Sequence, residues 1–157
     1  MNPMKKTKPR PRPGTDIDVV FRAPLGSIGA QLFQDAIRFA LGAERLRASL
    51  ISCAVVSDAE IRAVNRRFLD HDRVTDIITF PLEEDPLEAE LVISADTARR
   101  QAREYRVTVR EECARLAIHG ILHLSGHDDR SEEDRRRMKQ REDQLLRRFL
   151  SRNRTRP

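Results

Sequence analysis

Val109-Arg110-Glu111-Glu112-Cys113-Ala114-Arg115-Leu116-Ala117-Ile118-His119-Gly120-Ile121-Leu122-His123-Leu124 is the stretch on which the fold turns. After its first turn it is nearly all apolar, and its length suits a helix of about four turns. A helix that is apolar nearly all round belongs in the middle of a domain, with other elements covering it.

The segments before it supply that cover. Ile17-Asp18-Val19-Val20-Phe21 reads as a first strand. Ile28 to Ala43 places Ile28, Leu32, Phe33, Ala36, Ile37, Ala40 and Leu41 at helical spacing along one face. Ala48 to Val56, rich in Ile, Val and Cys, is a second strand. Ser57-Asp58-Ala59-Glu60 is a capping box that opens a helix through Ile61, Val64 and Phe68. Asp76 to Phe80 is a β-branched strand stopped by Pro81, Leu82 to Ala89 an acidic loop, and Glu90 to Ser94 a fourth strand. A helix over about Asp96 to Tyr105 leads into the central one. After it, Ser131-Glu132-Glu133-Asp134 starts a last helix with acids in its first turn, and Arg147 and Arg148 fall in its last. The order predicts one α+β domain: a mixed sheet of about four strands, packed with helices around a central buried helix.

The ends differ from this body. Residues 1–15 alternate Pro with Lys5, Lys6, Lys8, Arg10 and Arg12 and carry no acid, and residues 151–157 add Arg152, Arg154 and Arg156. Without those eight, 22 basic residues face 25 acidic ones, so the net charge of +5 belongs to the tails. The reading is a disordered basic tail at 1–15, a folded domain at 16–150 and a basic tail at 151–157. Such tails suit RNA through counterion release and specify no sequence. No run of about 18 apolar residues spans a membrane, and no secretory signal opens the chain. Cys53 and Cys113 stand alone in apolar surroundings, as core thiols of a reducing cytoplasm do.

His119 and His123 carry the chemistry. Four apart on a helix, they share a face with Cβ atoms roughly 6 Å apart, a span that lets two imidazoles hold one zinc ion. Unpartnered imidazoles would be costly in so apolar a helix, and three of the chain's four histidines fall within nine residues. A third ligand has to come from off the helix, because His127 on a continued helix would sit about 12 Å along it from His119. Gly126 offers a left-handed cap that turns the chain back, leaving His127, Asp128 and Asp129 as donors. The spacing is similar to that of the zincin metalloproteases, but their general base follows the first histidine, and here that residue is Gly120.

These residues resemble the YbeY family of bacterial rRNA maturation factors. The family pattern His-Gly-x-Leu-His-Leu-x-Gly-Tyr-Asp-His is matched by His119, Gly120, Leu122, His123, Leu124, Gly126 and Asp128. The run from Asn65 to Pro81 resembles the family's Asn-x-x-Phe/Tyr-Arg-x-x-Asp-x-x-Thr-Asp-Val-Leu-Ser-Phe-Pro without gaps. Glu90 to Ser94 is similar to the strand that follows, and Met138 with Glu142 falls where the last helix carries Met and Glu. The resemblance covers about residues 45 to 150.

It implies a zinc-dependent, single-strand-specific endoribonuclease, with one Zn2+ per chain, acting in the cytoplasm on rRNA precursors at the 16S 3′ end and in ribosome quality control. The implied partners are single-stranded RNA and the ribosome or its small subunit. The family's third histidine falls on Asp129, a competent oxygen ligand, while His127 takes the tyrosine position. The family's arginine falls on Leu69, so Arg67 or Arg73 is the candidate to hold the scissile phosphate in its place and His71 is the candidate general acid. Leu69 also keeps a second reading open, an RNA-binding assembly factor with structural zinc; a metallopeptidase is the third, short of its base. One tyrosine and no tryptophan argue against base-stacking recognition.

Overall fold

The structure, a computed structural model, describes residues 14–154. Among these residues four strands, β1 (Asp16–Phe21), β2 (Ala48–Val56), β3 (Ile77–Glu84) and β4 (Leu87–Ser94), form one mixed sheet in the order β1-β2-β4-β3. β1, β2 and β4 run parallel, and β3 is antiparallel to β4 at the edge. Five helices among the described residues complete the single α+β domain: α1 (Ala30–Ala43), α2 (Asp58–Leu69), α3 (Ala95–Tyr105), α4 (Val109–Leu124) and α5 (Glu132–Arg154). Among the described residues no helix is long and apolar enough to cross a membrane.

The period of two along each strand divides the apolar residues between the faces. Ile51, Cys53 and Val55 of β2, with Leu87, Ala89, Leu91 and Ile93 of β4, join the larger core beneath α1, α4 and α5. Val56, Ile78 and Val92 face the other way and are covered by Ile61 of α2. Nine of α4's sixteen residues are buried, as its composition predicts. Cys53 and Cys113 are both buried free thiols, and burial pushes each up to about 12, which leaves them inert.

Helix starts follow local chemistry. Ser57 Oγ accepts from Glu60 N at 3.2 Å, Thr108 Oγ1 from Glu111 N at 3.0 Å and Ser131 Oγ from Asp134 N at 3.0 Å. Three expectations need correction. β3 does not stop at Pro81 but runs to Glu84, and the expected acidic loop at 82–89 shrinks to a turn at Asp85 and Pro86. An edge strand has one side free of partners, so a residue without an N–H is tolerated, and the register shifts between Pro81 and Glu83. α1 begins at Ala30 rather than Ile28, after Gly29, which caps it without a side chain. α5 continues past Leu150 to Arg154, so Arg147 and Arg148 are not in its last turn. No breaker follows Leu150; instead Phe149 packs on Phe39 at 5.6 Å between ring centroids, and Arg148 lies 5.8 Å from the same ring. Thr15 also donates to Ala48 O at 2.7 Å, which ties the start of the domain to β2. Residues 1–13 and 155–157, most of the two expected basic tails, lie outside the described residues.

Candidate active site

α4 brings His119 and His123 to one side of the domain with their rings nearly parallel (9°) and 6.5 Å apart. The helix lies close on the sheet at Gly120: a Cβ there would stand 2.8 Å from Ile77 Cδ1 and 3.1 Å from Leu91 Cδ2. A glutamate at this position would therefore point its carboxylate into apolar strand side chains. The base of the peptidase reading has no room here.

The chain leaves α4 through a Schellman turn. His127 N donates to Leu122 O at 3.1 Å, Gly126 N to His123 O at 3.3 Å, and Gly126 has φ +104°, a conformation that favours glycine. This turn separates the three candidate third ligands. His127 faces α1, with Nε2 3.4 Å from Glu44 Oε2. Asp128 Oδ1 accepts from the backbone N–H groups of Asp129 (2.7 Å) and Arg130 (3.1 Å) and so shapes the loop. Asp129 is the one of the three that lines a cavity with His119 and His123.

That cavity, about 370 Å³, lies between α4, the start of β3 and the segment after α2. His71, Arg73 and Leu69 also line it. Asn65, buried, holds the segment in place: its Nδ2 donates to Arg73 O at 3.1 Å, and its backbone carbonyl accepts from His71 N at 3.2 Å. Arg62 clamps Asp72 with bonds of 2.8 and 3.3 Å on the outside of the same segment. Five of the six residues singled out from the sequence thus share one cavity: His119, His123, Asp129, His71 and Arg73. Arg67 does not; it lies on the exposed side of α2, 5.3 Å from the Phe68 ring centroid. An arginine two residues before Leu69 on a helix points some 200° away from it, which explains its absence.

Behind His119 stands a buried ionic cluster. His119 Nδ1 is 2.6 Å from Oε1 of Glu142, a residue 2% exposed on α5. Glu142 also accepts from Arg115 Nη1 (3.2 Å) and Lys139 Nζ (3.3 Å), and Arg115 is held by Glu112 through Nε (2.6 Å) and Nη2 (2.7 Å). Burial alone raises the Glu142 carboxyl, but the His119 hydrogen bond and the charges of Arg115 and Lys139 outweigh it and hold it below its ordinary range. With an ionised acceptor at Nδ1, that nitrogen carries the hydrogen, and Nε2 is the ring nitrogen that Glu142 does not engage. Sequence reading placed Glu142 in the last helix but missed Arg115 and Glu112, although two charges three apart on an apolar helix were a signal that a buried pair was there.

The arrangement defines a class: an α+β domain whose central helix presents two histidines, one backed by a buried carboxylate, to a polar cavity beside an antiparallel sheet edge. The chain belongs to the YbeY family, whose model, described as Endoribonuclease YbeY, matches residues 27–150. A protein of Chlorobium phaeovibrioides named Endoribonuclease YbeY is 40% identical over 113 residues, spanning 71% of this chain and 76% of that protein. A protein of the same name from Chlorobaculum tepidum is 37% identical over 128 residues, spanning 81% and 93%. The fold is similar to the solution structure of TM1509 from Thermotoga maritima, with a TM-score of 0.65 and 26% identity, covering 90% of this chain and 93% of that one.

Proposed function

We propose that this chain is a zinc-dependent endoribonuclease that cuts single-stranded RNA in the cytoplasm, acting on rRNA precursors at the 16S 3′ end and in ribosome quality control. The observation that carries the metal is the 2.6 Å bond from His119 Nδ1 to buried Glu142, the backing that metal-ligating histidines use to fix their tautomer. The relatives named endoribonuclease support the substrate class.

His119, His123 and Asp129 are the residues that would hold the ion. Two imidazoles and a carboxylate suit zinc chemically and leave a fourth position open. Among the described residues no group of three or more His, Cys, Asp or Glu side chains is drawn together closely enough to hold a metal, so these donors share a cavity without closing round a point. The chemistry that zinc supplies in such a donor set is acidification of water and polarisation of a phosphodiester oxygen. The chain's own residues do the rest. Arg73, in the same cavity, holds the scissile phosphate in the role that Leu69 cannot fill. His71, held by the backbone bond to Asn65, delivers a proton to the leaving oxygen. Arg67, outside the cavity, is left to meet flanking phosphates on the surface of α2.

One observation favours a second reading: Leu69 lines the cavity, so its wall lacks a charge where the family has one. The alternative is an assembly factor that binds RNA and the ribosome's small subunit around a structural zinc. Metal analysis of the purified protein and of His119→Ala and His123→Ala, with cleavage of single-stranded and duplex RNA, separates the two. About one zinc per chain, lost in both variants together with single-strand cleavage, supports the enzyme. Metal bound without cleavage supports the assembly factor.

A further inference from the structure

A second cavity, about 520 Å³, opens on the other side of His119 and Asp129, which line both. Its size falls within the ~300–1,000 Å³ of pockets that hold organic ligands. Tyr105, the last residue of α3, stands in its wall 52% exposed, and Met138 of α5 is a buried apolar neighbour there. Arg115 holds its guanidinium 5.6 Å from the Tyr105 ring centroid and is itself fixed by Glu112. Arg135 and Lys139 add cationic groups to the same lining.

We infer that this second cavity is a subsite for one unpaired nucleobase next to the scissile phosphate, with Tyr105 as its stacking platform. Every base offers a π-face, and a phenol ring beside a fixed guanidinium is a stacking surface that tolerates any of the four. Arg135 and Lys139 suit the phosphates that flank such a base. A chain that crosses from this cavity to the first places its backbone at the shared wall, where His119 and Asp129 are. A base inside a duplex is stacked on its neighbours and cannot enter, so the subsite gives the enzyme its preference for single strands. The chain is poor in aromatic residues, yet its one tyrosine stands where a single stack suffices.

The subsite rests on the endoribonuclease reading for the identity of its ligand, and its test reads binding separately from cleavage. With one tyrosine and no tryptophan, the protein's intrinsic emission reports on Tyr105 alone. A short oligoadenylate should quench that emission on mixing, while an oligonucleotide of the same length with abasic sugars should not. Tyr105→Ala should weaken binding of the labelled oligoadenylate, measured by anisotropy, about 5- to 150-fold, and Tyr105→Phe should restore it. Emission unchanged at saturation, failure of the oligoadenylate to bind at all, or a Tyr105→Ala variant that binds and cleaves like the wild type overturns the subsite. Quenching by a protein that cleaves no RNA supports the subsite and refutes the nuclease reading instead.

Discussion

Replacing Glu142 by Gln isolates what the buried carboxylate does for His119. Its oxygens accept from His119 (2.6 Å), Arg115 (3.2 Å) and Lys139 (3.3 Å). Glutamine offers one oxygen. If that oxygen stays with His119, the new NH2 faces two cations; if it turns, two donors face each other at His119. At least one charge-assisted bond is lost in either case, about 1.5–3 kcal/mol. The full penalty of an orphaned buried charge is not reached, because Arg115 keeps Glu112 (2.6 Å) and Lys139 keeps Asp143 (2.9 Å). Urea denaturation at neutral pH should therefore show a loss of about 2 kcal/mol. That difference should shrink on acidification, since the folded carboxyl lies below its ordinary value of 4.5 and its contribution is lost as pH falls below that value. Zinc affinity, measured by competition with a chromophoric chelator, should fall about 10- to 100-fold. A variant that loses the stability and keeps zinc affinity within about threefold would show that Glu142 props the fold and does not tune His119.

Asp129→Ala should lower zinc affinity by orders of magnitude and Asp129→His should restore it, whereas His127→Phe should keep the metal because His127 faces Glu44; metal lost only in the His127 variant reassigns the third ligand. Gly120→Glu drives a Cβ to 2.8 Å from Ile77 and buries an unpaired carboxylate, so it should cost about 3 kcal/mol or more and lower Tm by at least about 6 °C; an unchanged Tm in calorimetry refutes the close packing of α4 on the sheet. Asp58 ties α2 to α3 through Arg100, Ser94 and Thr97. Burial raises its carboxyl, these bonds outweigh that, and the net direction is down from 3.8. Its contribution is present above that value and is lost as pH falls from it through the lowered folded value, so Asp58→Asn should be destabilised at pH 7 and the gap to the wild type should narrow on acidification below 3.8; a gap that widens in acid contradicts the assignment.

What the sequence discloses is whatever a few neighbouring residues decide. Ser57 and Ser131 are caps whose partners lie three residues on, and β2 and α4 begin and end where the apolar pattern places them. The His119–His123 pair is legible for the same reason: one helix, one face. Pro81 misleads because its tolerance depends on β3 being an edge strand, a property of the whole sheet. The end of α5 depends on Phe149 meeting Phe39, 110 positions away in the chain. The turn at Gly126 is legible, but the direction in which it sends His127 is set by Glu44, 83 residues earlier. Tyr105 looks like an ordinary helix end until α4 and α5 bring Arg115 and Met138 beside it.

The same distinction explains why so many charges are buried behind the histidines. Asp76, the residue before β3, accepts from Gln101 of α3 (3.3 Å), Gln101 accepts from Arg115 of α4 (3.3 Å), and Arg115 reaches Glu142 of α5, which holds His119. Among the described residues no buried side-chain nitrogen or oxygen is left without a partner. Stability does not call for such a chain, since well-packed apolar residues in its place are often neutral or better by about 1–4 kcal/mol. Position does. The chain links Asp76 and α4, which line the first cavity, to α3 and α5, which with α4 line the second, and it ends on the imidazole those cavities share, so a shift of α5 or α3 is felt at His119 Nδ1 and through it at Nε2. Groups that must meet a reacting phosphate within a fraction of an ångström need supports of this kind. The ionic cluster is then the part of the core that answers to the site, while Ile51, Leu91 and Leu116 answer to the fold.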